Sequence, residues 1–298
     1  MTPRVCVIVN PASGRGSGAR ALPGIRAAFA AVGVSEVRLT SGKGEERTQA
    51  RRALDEGFDT LVACGGDGTW SNIANAIIGA GAGRQARLAL LGTGTGNDFA
   101  KTIGTPARDF AATARLSVDG RDTAVDVGRI EDKHFLNVSG FGFDIAVLED
   151  IHRISWLKGD MLYLYSALRQ LFSYGGVHVG IASAKKRRDS RRHLMLIVAN
   201  ARNFGGSFKI APAASVTDGK LDAISIHDAP PLARMRLFAA ATKGTHVMAP
   251  EVLVEQARSF TLEFKEPPAY ETDGEYHRAV GAVIQIDCIP AALRVVTP

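Results

Sequence analysis

Four short apolar runs punctuate the first 130 residues, at 5–9, 37–39, 60–64 and 87–91. Ala-rich stretches with helical spacing lie between them, among them 20–32 and 45–56. Strands alternating with helices of this kind make βαβ units, and so a parallel sheet covered on both faces. Beyond about residue 128 the rhythm changes. Segments 135–138, 177–183, 193–199, 221–227, 252–264 and 282–289 are strand-like, many with period-two alternation, and Asp218-Gly219 and Asp273-Gly274 supply turns. Helical insertions are predicted at 143–151, 157–172 and 232–242. The pattern gives an α/β domain with a parallel sheet over 1–128 and a mainly antiparallel β domain over 129–290, with no Pro- or Ser-rich linker between them.

The Gly-rich segments of the first half, 10–18, 65–69 and 92–97, each follow a strand. In a parallel sheet such loops lie at the carboxyl edge, where ligands bind. The sharpest runs Gly65-Gly66-Asp67-Gly68-Thr69 into a helix expected near Trp70, so that backbone N–H groups converge as phosphate requires. Asp67 would repel a phosphate unless a divalent cation stood between them; as a plain turn, Asp67 and Thr69 would instead cap helices. Thr95, Asn97 and Asp98 follow in the third loop, and Ser13 and Arg15 in the first. No GxxxxGK[ST] is present, which excludes a P-loop. Gly14, Gly16 and Ala19 fit GxGxxA, but the second strand ends at Thr40 and not at an acid, so a dinucleotide fold lacks its ribose partner. HExxH and GxSxG are absent.

The 298 residues carry a net charge of +6, and its distribution matters more than its size. Lys185, Lys186, Arg187, Arg188, Arg191 and Arg192 face Asp189 alone, so nearly all the excess is one patch, expected at a hairpin tip, and not the spread-out field of a nucleic-acid binder. A solvated loop and an attachment to anionic lipid headgroups both fit it. Cys6, Cys64 and Cys288 lie in apolar runs without CxxC spacing and read as reduced thiols. Five apolar residues after Arg4 are too few for a signal-peptide core, and no run reaches the ~18 of a membrane span. The expectation is a cytoplasmic protein whose membrane contact is peripheral; a homodimer is compatible with the sequence.

NPASGRGSG, GGDGTWSNIANAI and GTGNDFA, in this order and spacing, resemble the catalytic domain of the diacylglycerol kinase family, which bacterial soluble lipid kinases share with sphingosine kinases. The likeness continues through Val125-Asp126-Val127-Gly128, residues 135–142, Ala199-Asn200-Ala201, Asp218-Gly219-Lys220-Leu221-Asp222 and Asp273-Gly274-Glu275. It implies an NAD kinase/phosphofructokinase-like α/β domain, completed by a strand at 291–298, and a C-terminal β-sandwich for the lipid substrate, with ATP-dependent phosphorylation of a lipid hydroxyl in a cleft between them. By the same resemblance Asn10, Pro11, Ala12, Ser13, Thr40, Gly65, Gly66, Asp67, Gly68, Thr69 and Thr95 line the nucleotide site, and Glu275 is the general base. Asp67, Asp98 and Asp126 would surround a catalytic magnesium, and Ser215, Asp218 and Lys220 a structural one, Ser215 and Lys220 through carbonyls. Leu91-Gly92-Thr93 stands where the family commonly has Pro, which loosens the register of the third loop.

Diacylglycerol leads among the acceptors, ahead of a sphingoid base, a polyprenol and a phosphatidylglycerol-type lipid. An NAD kinase and a non-catalytic lipid- or nucleotide-binding regulator are the other readings. By residue type alone Glu275 is a glutamate after a hairpin turn and Asp218-Gly219 a turn. The stripe Met161, Leu164, Tyr165, Leu168 and Phe172 fits core packing, with an acyl groove or membrane-facing lid as the alternative.

Overall fold

All five residues of the first strand, β1 (Val5–Val9), are buried, as a central parallel strand demands. The computed structural model describes residues 3–42, 44–106, 108–154 and 159–298. It divides into two units: Met1–Val127 with Val216–Gly219 and Ile289–Pro298, and Gly128–Ser215 with Lys220–Cys288. The turn at 216–219, which the sequence places in the second domain, thus groups with the first unit.

In the first unit β1 is followed by α1 (Ser13–Ala30), β2 (Val37–Leu39), α2 (Glu45–Asp55), β3 (Thr60–Gly65), α3 (Asp67–Gly79), β4 (Arg87–Gly92), α4 (Asp98–Ile103) and α5 (Phe110–Asp119). Strands β4, β3, β1 and β2 pair in parallel in that order. Val7, Val9, Val62, Cys64, Ala89 and Leu91 pack with Ile25 and Phe29 of α1. Trp70 is fully buried, and its indole N–H donates to the Ala63 carbonyl at 3.0 Å, fixing α3 beneath the strand it follows. Helix α3 starts at Asp67 rather than near Trp70, so the Asp lies in its first turn.

The chain leaves the first unit within β5 (Arg121–Ile130) and continues through β6 (Lys133–Phe135), β7 (Val138–Gly142), α6 (Phe143–Arg153), α7 (Gly159–Ser173), β8 (Val177–Ser183), β9 (Arg187–Ala199), β10 (Leu221–His227), α8 (Pro231–Lys243), β11 (Val252–Ala257), β12 (Ser259–Glu263), β13 (Ala269–Thr272) and β14 (Glu275–Arg278). It returns within β15 (Val283–Thr297), whose last part lies parallel to β4, Arg294 opposite Arg87. Strands β14, β13, β7, β9, β8 and β12 pair antiparallel in that order, and β10 joins β9 to β11. Alternate residues feed two cores: Leu196 and Val198 pack with Phe141, Phe260 and Tyr270, whereas Ile197 and Ala199 pack with Phe143, Leu171 and Leu237 of α6, α7 and α8.

Three expectations change. Segment 252–264 is two strands because its partners change at Arg258, from β10 to β8 and β15. The basic run is not a hairpin tip: Arg187 to Arg192 extend β9, and only 184–186 turn. Helix α7 buries Leu162, Ser166, Ala167 and Leu171 and leaves Tyr165, Leu168 and Phe172 41%, 46% and 58% exposed, so that side of the stripe is not core; the Met161 and Leu164 side chains lie outside the described residues.

All three cysteines are free and buried. Burial pushes the Cys6 thiol up to about 12 and the Cys64 thiol further still, which suppresses the reactive thiolate. The native protein is expected to resist a maleimide dye that labels three thiols after denaturation. Labelling of any cysteine in the native state at neutral pH would contradict this placement.

Candidate active site

In the first unit the three Gly-rich loops meet at the carboxyl edges of β1, β3 and β4. The Gly65 carbonyl accepts the amides of Thr93 and Gly94 at 2.8 and 3.1 Å, which lays the second and third loops across each other. The crossing is possible only without side chains: a Cβ on Gly94 would stand 2.5 Å from Gly66 Cα. Ser13 Oγ donates to Asn10 O at 2.8 Å and lies 2.7 Å from Thr93 Oγ1, tying in the first loop. Asn10 is held in turn: its Nδ2 donates to Glu46 Oε1 at 2.9 Å and to Thr69 Oγ1 at 3.1 Å, while its Oδ1 accepts the Ala12 amide at 3.0 Å.

Asp67 is fixed by a neighbouring helix. Its Oδ1 accepts the amides of Asp98 and Phe99, at 2.8 and 3.1 Å, at the start of α4. A carboxylate that meets N–H groups at a helix start gains from both hydrogen bonds and dipole. Asp98 itself pairs with Lys101 at 3.0 Å. Thr40, whose amide donates to Val9 O, is buried beside this edge; Pro11, Ser13 and Gly68 are half-buried, and Ala12 and Thr95 are exposed. The loops therefore offer hydroxyls, amides and one oriented carboxylate around a cradle.

Asp126 is buried in the same unit. Its two oxygens accept the amides of Gly219 and Ala291, at 2.7 and 2.8 Å, and its amide donates to Val216 O. It ties down the Asp218 turn. Ser215 and Lys220 belong to the second unit, and among the described residues no cluster of three His, Cys, Asp or Glu side chains could hold a metal ion.

In the second unit the Asp273-Gly274 turn carries Glu275. Both turn residues have positive φ, 49° and 86°, the tight hairpin that Asp-Gly favours, and Thr272 pairs with Glu275 across it. The Asp273 carboxylate accepts the amides of Leu136, Asn137 and Val138 at 2.8, 2.8 and 3.1 Å. Three charge-assisted bonds to buried donors anchor the turn on the strand beside it. Glu275, the first residue of β14, is half-buried.

Sequence reasoning passed over several residues that shape these sites. Glu46 positions Asn10, and Arg108 donates to Gly94 O at 3.1 Å, a cation beside the loop crossing that no motif marks. Asp144 and Glu271 are buried acids in the second unit. For Asp144 the signal was a lone carboxylate interrupting the apolar stretch Phe141 to Val147; Glu271, in a polar run that continues through Asp273 and Glu275, carries no such mark.

Comparison with known proteins supports the same reading. Residues 4–130 match the diacylglycerol kinase catalytic domain, and residues 137–297 match the YegS C-terminal NAD kinase beta sandwich-like domain. A Mycobacterium tuberculosis protein named diacylglycerol kinase is 30% identical over 99% of this chain and 95% of its own. One from Bacillus subtilis is 26% identical over 92% and 90%. In fold the chain is similar to a diacylglycerol kinase from Bacillus anthracis, with a TM-score of 0.76 at 22% identity over 100% of this chain and 97% of that one. It is similar too to an NAD kinase from Archaeoglobus fulgidus in complex with ATP, with a TM-score of 0.54 at 15% identity over 98% and 93%. With an α/β half and an antiparallel β-rich half that each match, the chain belongs to the diacylglycerol kinase family and is a lipid kinase.

Proposed function

We propose that the protein transfers the γ-phosphoryl group of ATP to the free hydroxyl of diacylglycerol, giving phosphatidic acid. The observation that carries this is the crossing of Gly66 and Gly94 beside Asn10, Ser13 and Thr69, a cradle of amides and hydroxyls shaped for a phosphate chain. Phosphoryl transfer asks mainly for alignment and charge neutralisation. Glu275 accepts the proton of the attacking hydroxyl. The Asp273 clamp holds Glu275 to one place, and Asp67 stays oriented through the α4 amides.

Magnesium fits this donor set as a water-rich ion held by one or two carboxylates and the substrate phosphates. Asp67 and Asp98 would hold it, and when bound it supplies neutralisation of phosphate charge. Asp126 accepts one amide on each oxygen, from Gly219 and Ala291, which leaves each a further lone pair toward this ion. At the second site Asp218 would be helped by the carbonyls of Ser215 and Lys220, which suits a weak site.

The test is transfer from γ-labelled ATP to diacylglycerol, a sphingoid base, a polyprenol and phosphatidylglycerol in mixed micelles, with NAD alongside. Labelled phosphatidic acid is the expected product. Label on NAD, or on no lipid, would overturn the reading.

The substrate lives in a membrane, and among the described residues no helix is long and apolar enough to cross one. We propose peripheral contact through the basic run. Arg187, Arg188 and Arg192 pair with Glu263, Glu255 and Asp228, so the attraction falls to Lys185, Lys186 and Arg191. Each cation near an anionic surface contributes about 1 kcal/mol at low salt. Replacing these three by Ala is expected to weaken sedimentation with phosphatidylglycerol vesicles by about a hundredfold, with the difference shrinking in high salt. Equal binding by both proteins in low salt would exclude this surface.

A further inference from the structure

Glu271 and Asp144 are two buried carboxyl groups that the reaction as described leaves idle. Glu271 is fully buried on β13, opposite Gly140 of β7, and Asp144 is 7% exposed in the first turn of α6. Gly140 lies between them. A Cβ placed there would stand 1.9 Å from Asp144 Oδ2 and 2.9 Å from Glu271 Oε1, so these two oxygens are at most the sum of those distances apart, 4.8 Å. Neither oxygen of Asp144, nor Oε1 of Glu271, makes a hydrogen bond with a described residue. The amides of Asp144 and Ile145 lie near the Asp144 carboxyl and favour its ionised form, without the alignment of a hydrogen bond. The other side of Asp144 meets an apolar cavity of about 70 Å³ lined by Phe143, Val147, Leu171, Leu194 and Leu237. That is well below the ~300 Å³ of small-molecule pockets, so the cavity is no ligand site as it stands.

The second oxygen of Glu271 has a different task. Oε2 accepts the Gly274 amide at 2.6 Å, across the turn that ends at Glu275. The turn thus hangs on two carboxylates: Asp273, fastened to three amides of the neighbouring segment, and Glu271, fastened to the residue before the base.

We propose that Glu271 is a positioning residue for Glu275, and that Asp144 makes its hold conditional on a proton kept by the Asp144–Glu271 pair. The proposal rests on the reading of Glu275 as general base. With one proton on the pair, a single negative charge occupies the site and Oε2 stays on Gly274. Without it, two charges less than 5 Å apart in apolar surroundings repel, Glu271 is displaced, and the Gly274 amide loses its acceptor.

Burial, and then the Asp144 charge, push Glu271 well above the usual carboxylate range; burial likewise pushes Asp144 up. Asp273 adds a smaller push on Glu271. Tyr174 feels the charges of Asp144, Glu149 and Arg234, and Arg234 lines the cavity beside Asp144. Arg234 is engaged by Asp228 and by the carbonyls of Ala229, Leu171 and Tyr174, so it does not neutralise the pair. Because the folded state binds this proton more tightly than the unfolded chain, its contribution is present at acidic pH and is lost as pH rises through the raised values. The turn is therefore firm on the acidic side and loosens on the alkaline side.

The experiment measures kcat and KM against pH from 6 to 9.5, with amide exchange at Gly274, for the wild type, Glu271→Leu, Glu271→Gln and Asp144→Asn. Wild-type kcat should fall on the alkaline side, and Gly274 exchange should quicken in parallel. Glu271→Leu should lower kcat about 10- to 100-fold on the acidic side, with the gap to the wild type closing as pH rises, hold the nucleotide KM within about twofold and abolish Gly274 protection. Glu271→Gln, which keeps an acceptor oxygen, should recover most of that loss. Asp144→Asn should flatten the alkaline fall in kcat. Wild-type kcat in Glu271→Leu on the acidic side, or an unchanged alkaline fall in Asp144→Asn, would overturn the proposal. Protected Gly274 in Glu271→Leu would overturn it whatever the activity. Wild-type turnover in Glu275→Gln would instead remove the base reading beneath it, a result the exchange data do not mimic.

Discussion

Replacing Glu275 with glutamine is expected to cut turnover by about 10²- to 10⁴-fold, the usual worth of a general base, which is about 2.7–5.5 kcal/mol of barrier. Glutamine matches glutamate in shape and can accept a hydrogen bond, but it cannot carry off a proton at neutral pH. The turn does not depend on the Glu275 carboxylate, since its fastening comes from Asp273 and from the Glu271 bond to Gly274. The side chain is half-buried on a short strand, so the variant should melt close to the wild type. The loops that form the phosphate cradle belong to the other unit and are untouched. Kinetics should therefore show a fall in kcat with the nucleotide affinity, read by isothermal titration of a non-hydrolysable ATP analogue, unchanged. Full turnover in the purified variant would exclude Glu275 as the base.

Much of this was legible in the sequence where local chemistry decides the outcome. The parallel strands at 5–9 and 37–39, and the antiparallel ones at 177–183 and 221–227, appear at those bounds because runs of apolar residues end at turn formers. The loops at 65–69 and 92–97 were visible because glycine clusters after a strand have few other uses. What stayed hidden was set by partners distant in sequence. The strand-like segment 252–264 divides at Arg258 only because the strands beside it change. Asp273 reads locally as a turn former, yet its carboxylate serves amides more than 130 residues away. The same holds for Asp67, where a cap and a phosphate-site residue seemed rival roles. The structure gives it the capping bonds of α4, a helix from the next loop, and those bonds are what would orient it. The basic run misled for a related reason: its charge was countable, but Glu255, Glu263 and Asp228, which answer half of it, lie far along the chain.

Gly94→Ala is expected to have the second large effect, on nucleotide binding. Its Cβ would sit 2.5 Å from Gly66 Cα and 3.2 Å from Gly66 N, and both are backbone atoms that cannot rotate aside. The two loops must part by roughly 1 Å to reach ordinary contact. A displacement of that size at a reacting centre costs about 10²-fold. The consequences spread along the chain in both directions. The Gly65 carbonyl would lose its grip on the Thr93 and Gly94 amides, and Asp67, one residue beyond Gly66, would shift against the start of α4. Overpacking of this kind also costs about 1–3 kcal/mol in stability, so binding must be measured well below the variant's melting temperature. Gly42→Ala is the matched control: a Cβ there meets nothing within 4 Å, and it should bind nucleotide as the wild type does. The expected result is a rise of about a hundredfold in the ATP-analogue Kd for Gly94→Ala, with kcat/KM falling at least as far. Gly66→Ala, whose Cβ would stand 3.2 Å from Gly94 Cα, should give a milder form of the same defect. That ordering follows from contact distance alone. If Gly66→Ala proved the more damaging, or if both bound nucleotide normally, the crossing of these loops would not be what shapes the phosphate site.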